Sequence, residues 1–246
     1  MNNIYIYNNN FISLLNLINI LIINNTKPDN IKQIDYNPTL FDNLIKLNID
    51  NNENIINIII KNTSKNILKT MYYLYLSRDD NKELIIYYFY KNSLKYKDNI
   101  YSMRNLKCVS EALKISQYVS RENHKFKGFT RFKELKNNIL YAEINPTNNI
   151  IYILAIHFKK RLSNEYFIIK DITRNIFSIY DKKDIYIVNG DNFRLYEESH
   201  KSDFIEDLWK EFYKTIGIES RKNNRCRMNF MPKKYWKYIV EMSDEI

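Results

Sequence analysis

The chain of 246 residues carries only three glycines, four prolines, two cysteines and three histidines. Cys108 and Cys226 lie far apart and at no metal-ligand spacing, which excludes a self-contained zinc ribbon or iron–sulfur centre and suits a reducing cytoplasm. No metal site and no cofactor is therefore expected. HExxH, GxSxG and P-loop patterns are absent, so the common hydrolase and triphosphatase signatures are missing. The apolar run from Phe11 to Ile23 is interrupted by Ser13, Asn16 and Asn19, too short and too polar to span a bilayer. The amino terminus lacks a basic n-region followed by a small-residue cleavage site. A cytoplasmic protein with no membrane partner is the expectation.

What the chain does have is apolar content and positive charge. Hydrophobic residues make up 45% and aromatics 15%, enough for a real core despite the many asparagines. The Asn, Ile, Lys and Tyr excess follows AT-rich codons and carries no functional weight. Lys and Arg number 38 against 28 acids, a net charge of +10 that favours a polyanionic partner, nucleic acid first.

Ile4 to Tyr7 suits a strand, and Phe11, Leu14, Leu15, Ile18, Leu21 and Ile22 recur at helical spacing. Pro28 and Pro38 mark an irregular connection. Amphipathic helices follow at about 53–61, 65–77 and 81–95, with stripes that include Ile55, Ile59, Ile67, Met71, Leu74, Ile85, Tyr88 and Phe89. Residues 1–100 read as a mainly helical packing module whose tyrosines belong to the core. After a polar connection, a helix from about Leu106 to Lys125 has the core line Ala112, Ile115, Val119, Glu122, Phe126. Glu122 sits where an apolar residue is expected, and a buried carboxylate needs partners; Arg131 and Arg161 are the candidates. Lys114, Arg121 and Lys125 fall on other faces, toward solvent or a ligand.

Gly128 reads as the break after this helix, at a backbone position needing positive φ or close approach. Beyond it the period changes to two, with a hairpin turn at Asn137-Asn138 and a strand ending before Pro146. A helix at about 149–162 and strands at 166–172, 176–180 and 184–188 follow. Final helices are expected at 202–216 and 233–242, joined by a basic connection. The fold class is α+β: a helical N-terminal module (1–100) plus a mostly antiparallel sheet flanked by helices (101–246).

Chemistry-bearing residues gather in two places. Val119-Ser-Arg-Glu-Asn-His-Lys-Phe-Lys-Gly-Phe-Thr-Arg-Phe132 combines His124 with Arg121, Lys125, Lys127 and Arg131. From Glu219 to Trp236, Arg221, Lys222, Arg225, Arg227, Lys233 and Lys234 are interleaved with Phe230, Tyr235 and Trp236. Cations for phosphates and flat rings for unstacked bases are what single-stranded or extruded nucleotides require. The arginines offer a planar fork suited to phosphate, whereas Trp236 reads as core packing. Among the histidines, His200 reads as surface and His157 flanks Phe158 on a partly apolar helix face. A general acid–base pair of His124 or His157 with Glu122 or Asp171 is possible only through the fold.

The stretch Val119–Phe132 resembles the signature of a domain-of-unknown-function family of probable DNA-metabolism or DNA-repair proteins. Tyr141-Ala142, Pro146, His157-Phe158 with Arg161, Asp171, and Leu208-Trp209 with Tyr213 extend the resemblance. So do Ile218-Glu-Ser-Arg-Lys-Asn223 and Met231-Pro-Lys-Lys-Tyr-Trp236. It covers about residues 105–241, and more weakly the opening, where Tyr7-Asn-Asn-Asn-Phe11 stands in place of the family's Tyr-Asp-Gly-Ser/Thr-Phe. The resemblance implies work on nucleic acid beside a radical-SAM protein, some members being fused to a uracil-DNA-glycosylase-like domain. With too few cysteines for a radical-SAM cluster, that chemistry would belong to a partner.

The expected function is nucleic-acid binding, DNA favoured, in DNA repair or metabolism with a radical-SAM partner enzyme. Arg121, Lys125, Arg131, Arg161, Arg221, Lys222, Asn223, Arg225 and Arg227 would hold phosphate, and Tyr235 or Phe230 would stack a base. Two alternatives stand beside it. One is a nucleic-acid-processing enzyme using a His/carboxylate pair (His157, His124, Glu122, Asp171) in a basic pocket, with Arg131 or Arg161 stabilising developing negative charge. The other is a protein–protein adaptor for the partner enzyme.

Overall fold

A computed structural model describes residues 2–47, 52, 54–135, 138–192, 215, 223–239 and 242. They fall into two compact units, Met1–Arg121 and Glu122–Ile246. Together the units give the mixed helix-and-sheet composition expected, with the larger sheet mostly antiparallel.

The first unit is built on β1 (Asn2–Tyr7), whose Ile4, Tyr5, Ile6 and Tyr7 are all buried. Burial on both faces follows from its place at the centre of a parallel sheet, between β2 (Asn30–Gln33) and β3 (Asp42–Ile45). The stretch read as an irregular connection thus contains two strands. Each is four residues long, and of the eight only Ile31 is buried, so neither shows a two-residue period.

Helix α1 (Phe11–Ile23) starts where the Asn10 side chain accepts the Ser13 N–H at 2.7 Å. Helices α2 (Ile55–Asn62), α3 (Lys65–Tyr75) and α4 (Lys82–Tyr96) match the expected helical segments. On α4, however, Ile86, Tyr87, Phe89 and Tyr90 are buried while Ile85 and Tyr88 are only partly so. The buried face is thus centred on Ile86, Tyr90 and Ser93 rather than on Ile85 and Tyr88. The Tyr7 hydroxyl donates to Glu83 Oε1 at 2.9 Å inside this core, and burial pushes the Glu83 carboxyl above its usual range. The connection Lys97–Ser102 is a 3₁₀ turn that buries Ile100.

The second unit holds a five-stranded sheet in sequence order: β4 (Lys133–Leu135), β5 (Ile139–Ile144), β6 (Tyr166–Asp171), β7 (Ile176–Tyr180) and β8 (Ile185–Asn189). All neighbours are antiparallel except β5 and β6, which run parallel because α6 (Ile151–Arg161) carries the chain back between them. Phe132, on α6's side of the sheet, packs edge-on against Phe158 of α6 and Phe167 of β6, with centroids at 4.9 and 5.9 Å. Tyr141, Ile168 and Phe177 form a separate apolar cluster. Of the expected hairpin turn, Asn138 is left-handed at φ 58°, and Asn137 lies outside the described residues.

Three expectations about the helices are corrected. Helix α5 runs from Lys107 to Phe129, through Gly128, which has no positive φ. Thr130 ends the helix instead: its N–H and hydroxyl both turn back to the Phe126 carbonyl, at 3.0 and 2.7 Å. Next, the basic connection contains a short helix, α7 (Asn224–Phe230). Finally, the helix expected at 233–242 is a 3₁₀ segment, Lys233–Tyr238, entered through an extended Pro232 and closed by the Tyr235 N–H to Pro232 carbonyl bond of 3.0 Å. The helix expected at 202–216 lies outside the described residues, Thr215 excepted, as does His200.

A Cβ added at Gly128 meets no atom within 4 Å. Gly128→Ala is therefore expected to stabilise the protein by about 0.5–1 kcal/mol in urea unfolding, because it removes backbone freedom from the unfolded chain. Destabilisation would restore the reading of this glycine as a position needing close backbone approach.

Candidate nucleic-acid interface

Glu122 is 4% exposed, at the position where the helical spacing of α5 predicted a buried carboxylate. Its partners are not Arg131 or Arg161. Oε1 accepts the Thr147 N–H at 2.8 Å, and Oε2 accepts the Asn148 N–H at 2.9 Å and its side-chain amide at 2.6 Å. The Tyr235 hydroxyl adds a longer contact to Oε1 at 3.4 Å. The carboxylate thus holds the turn that opens α6, near the positive end of that helix.

The other side of the same turn is held by Arg174. Its guanidinium donates to the carbonyls of Pro146 (3.2 Å) and Thr147 (2.5 Å) and pairs with the fully buried Asp171 at 2.9 Å. Burial raises the Asp171 carboxyl, and the Arg174 guanidinium opposes that rise. Neither proposed carboxylate hydrogen-bonds or ion-pairs with His124 or His157 among the described residues. The His/carboxylate pair is not assembled, because both acids are committed to the turn before α6.

The two histidines differ in setting. His124 is exposed on α5. His157 is half-buried on α6, and its imidazole is held below the usual histidine range by burial, then by the Lys127 ammonium and the Arg161 guanidinium. Lys127 thus joins His157 and Arg161, a neighbour sequence spacing alone could not give. Arg121 is exposed and Lys125 half-buried on α5. Arg131 donates to the Gly128 carbonyl at 2.5 Å, a contact that completes the end of α5.

The carboxy-terminal cluster is anchored by its aromatics. Tyr235 is buried with its ring against Phe126 (5.1 Å) and Phe129 (5.6 Å), so it is a wedge and not the base-stacking platform expected. Trp236 is buried as read, its indole N–H donating to the Met231 carbonyl at 2.8 Å. Cations lie over these rings: Arg227 and Lys233 over Trp236 at 4.9 and 5.6 Å, and Lys234 over Tyr235 at 4.6 Å. Lys234 also reaches the Thr147 hydroxyl at 3.2 Å, tying the segment to the Glu122 turn. Asn223 caps α7, its side chain accepting the Cys226 N–H at 2.9 Å. Arg225 is exposed and Phe230 is 74% exposed. Arg221 and Lys222 lie outside the described residues.

A family profile described as a domain of unknown function (DUF4130) matches residues 80–241, a span of 162 of the 246 residues. The chain belongs to the DUF4130 family. The match takes in α4, α5, the whole five-stranded sheet and the carboxy-terminal basic segment, and leaves out the small parallel sheet. No curated protein and no solved structure matches the chain. Among the described residues of this DUF4130 member, no group of His, Cys, Asp or Glu could hold a metal ion, and no helix is long and apolar enough to cross a membrane.

Two outcomes are expected. Glu122→Leu orphans two backbone donors at the turn; at about 1–3 kcal/mol per buried unsatisfied donor it should cost more than about 2 kcal/mol in urea unfolding, with Glu122→Gln costing less. The turn is held otherwise if Glu122→Leu is neutral. His157 favours its neutral form in the fold, so stability is unaffected above the ordinary histidine range and falls as pH drops through it. An NMR titration should place its midpoint below that range, and Lys127→Ala or Arg161→Ala should raise it. An unmoved midpoint would show that these cations do not act on the ring.

Proposed function

We propose that this DUF4130 protein binds nucleic acid, DNA favoured, through its carboxy-terminal segment, and serves DNA repair or metabolism beside a radical-SAM partner enzyme. The observation that carries the binding reading is the charge of the described segment 223–239. It holds Arg225, Arg227, Lys233, Lys234 and Lys237 with no carboxylate. Buried Tyr235 and Trp236 fix the segment from beneath and leave Arg225, Lys233, Lys234 and Lys237 exposed, with Arg227 half-buried over Trp236. Phe230 stands 74% exposed beside them, so an open ring accompanies the cations, the pairing that single strands require. The partner and the DNA setting rest on the resemblance of Val119–Phe132 and the later motifs.

Fluorescence anisotropy with a labelled single-stranded oligonucleotide tests the binding. If all five cations meet phosphate, affinity should fall by about 100-fold between 50 and 200 mM salt, from a slope of about −0.7 per contact. The triple change Arg225→Glu, Lys233→Glu, Lys237→Glu should abolish binding, and Phe230→Ala should weaken it by about 1–3 kcal/mol without changing the salt slope. Salt-independent binding, or binding intact in the triple variant, would overturn the reading. Recovery of the partner enzyme with this protein after nuclease treatment tests the partnership separately.

A further inference from the structure

The first unit contains a groove of about 620 Å³ between α3, the 3₁₀ turn Lys97–Ser102 and α5. On α3, Asn66, Lys69, Thr70 and Tyr73 follow the i, i+3, i+4, i+7 spacing of one helix face. On α5, Ser110, Lys114 and Gln117 do the same, and Arg121 is the next residue of that face. Tyr101 and Arg104 come from the turn and the segment after it. The lining therefore holds three cations, two tyrosines, and several hydroxyl and amide groups, with no carboxylate.

The cations are not ion-paired, and Tyr101 is fixed. Among the described residues the ion pairs are Lys107–Glu111, Lys159–Asp184 and Arg174–Asp171, and none involves Lys69, Arg104 or Lys114. Of the neighbouring carboxylates, Asp98 accepts the Ser64 hydroxyl at 2.6 Å and Glu111 pairs with Lys107. Tyr101 is held in place, its hydroxyl 3.0 Å from that of Thr70 and its ring edge-on to buried Phe89 at 6.5 Å. Tyr73 is half-buried, with the Lys69 ammonium 5.8 Å from its ring centre.

A packing surface between helices would carry few charges, and a merely solvated one would mix both signs. This groove adds apolar surface, Leu113 among it, to charge of one sign. Its volume lies within the range of small-molecule sites, cations without acids select a phosphate, and two lining tyrosines, of which Tyr101 is fixed by Thr70 and Phe89, select a flat ring. We propose that the groove binds a nucleoside monophosphate unit, either free or as the phosphorylated end of a strand, with Lys69, Arg104 and Lys114 on the phosphate and Tyr73 and Tyr101 against the base. The site does not rest on the carboxy-terminal reading, since it lies in the other unit and uses other residues. It is also built partly from α3, outside the family match.

Isothermal titration calorimetry of the full chain with each of the four ribonucleoside 5′-monophosphates, with adenosine and with inorganic phosphate tests the proposal. At least one monophosphate should bind saturably, at least tenfold tighter than either adenosine or phosphate alone. The triple variant Lys69→Glu, Arg104→Glu, Lys114→Glu changes only exposed side chains and should keep its thermal unfolding midpoint while losing at least tenfold in affinity. Tyr73→Ala should weaken the monophosphate while leaving phosphate alone unchanged. The charge-reversed carboxy-terminal variant should bind the monophosphate normally, which separates failure of this site from failure of the other. A 5′-phosphorylated tetranucleotide displaced by the monophosphate identifies a strand end as ligand, and one that does not bind identifies the free nucleotide. No saturable binding by any monophosphate, adenosine binding as tightly as its monophosphate, or unchanged affinity in the triple variant would overturn the proposal.

Discussion

The second unit depends on one buried carboxylate. Glu122 brings to a common point the end of α5, the turn between β5 and α6, and, through Tyr235, the carboxy-terminal segment. A buried charge is costly unless its hydrogen-bonding capacity is filled, and here two backbone amides and a side-chain amide fill it. Asp171 plays a matching part through Arg174 on the far side of the same turn. The two acids most open to a catalytic reading are thus the ones that hold the scaffold together.

The aromatic residues divide the same way. Tyr235 and Trp236 are interior, yet each has an ammonium or guanidinium across its ring, so burial of the ring places a charge at the surface. Phe230, with no such duty, is open. In the first unit Tyr87 and Tyr90 belong to the core, while Tyr73 and Tyr101 face a groove from which acids are missing.

How far the sequence disclosed this depended on whether a feature was local. The spacing of Ala112, Val119, Glu122 and Phe126 was enough to find a buried acid, because helical periodicity is set within a few turns. Its partners are backbone amides of a turn 25 residues on, and no pattern of side-chain types announces a backbone donor. The strands of the five-stranded sheet were legible from a period of two after Gly128 and from strand-like runs between polar turns further on. Strands β2 and β3 were not, since short edge strands are defined by their central neighbour rather than by their own residues. Gly128 misled for a related reason: rarity pointed to a special backbone, but the helix is ended by Thr130, two residues later. The groove was missed because its residues come from three elements that only folding brings together.

The contacts at the Glu122 turn have a further consequence for how this stretch can change. Glu122 takes the amides of Thr147 and Asn148, and Arg174 takes the carbonyls of Pro146 and Thr147, so both charges mainly grip peptide groups rather than side chains. Peptide groups are common to every residue, but their positions depend on how many residues separate β5 from α6. Substitution at Thr147 by any residue but proline keeps these four bonds, whereas inserting or deleting one residue between Ile144 and Ile150 moves every amide off its carboxylate. The turn is therefore constrained in its length far more than in its spelling.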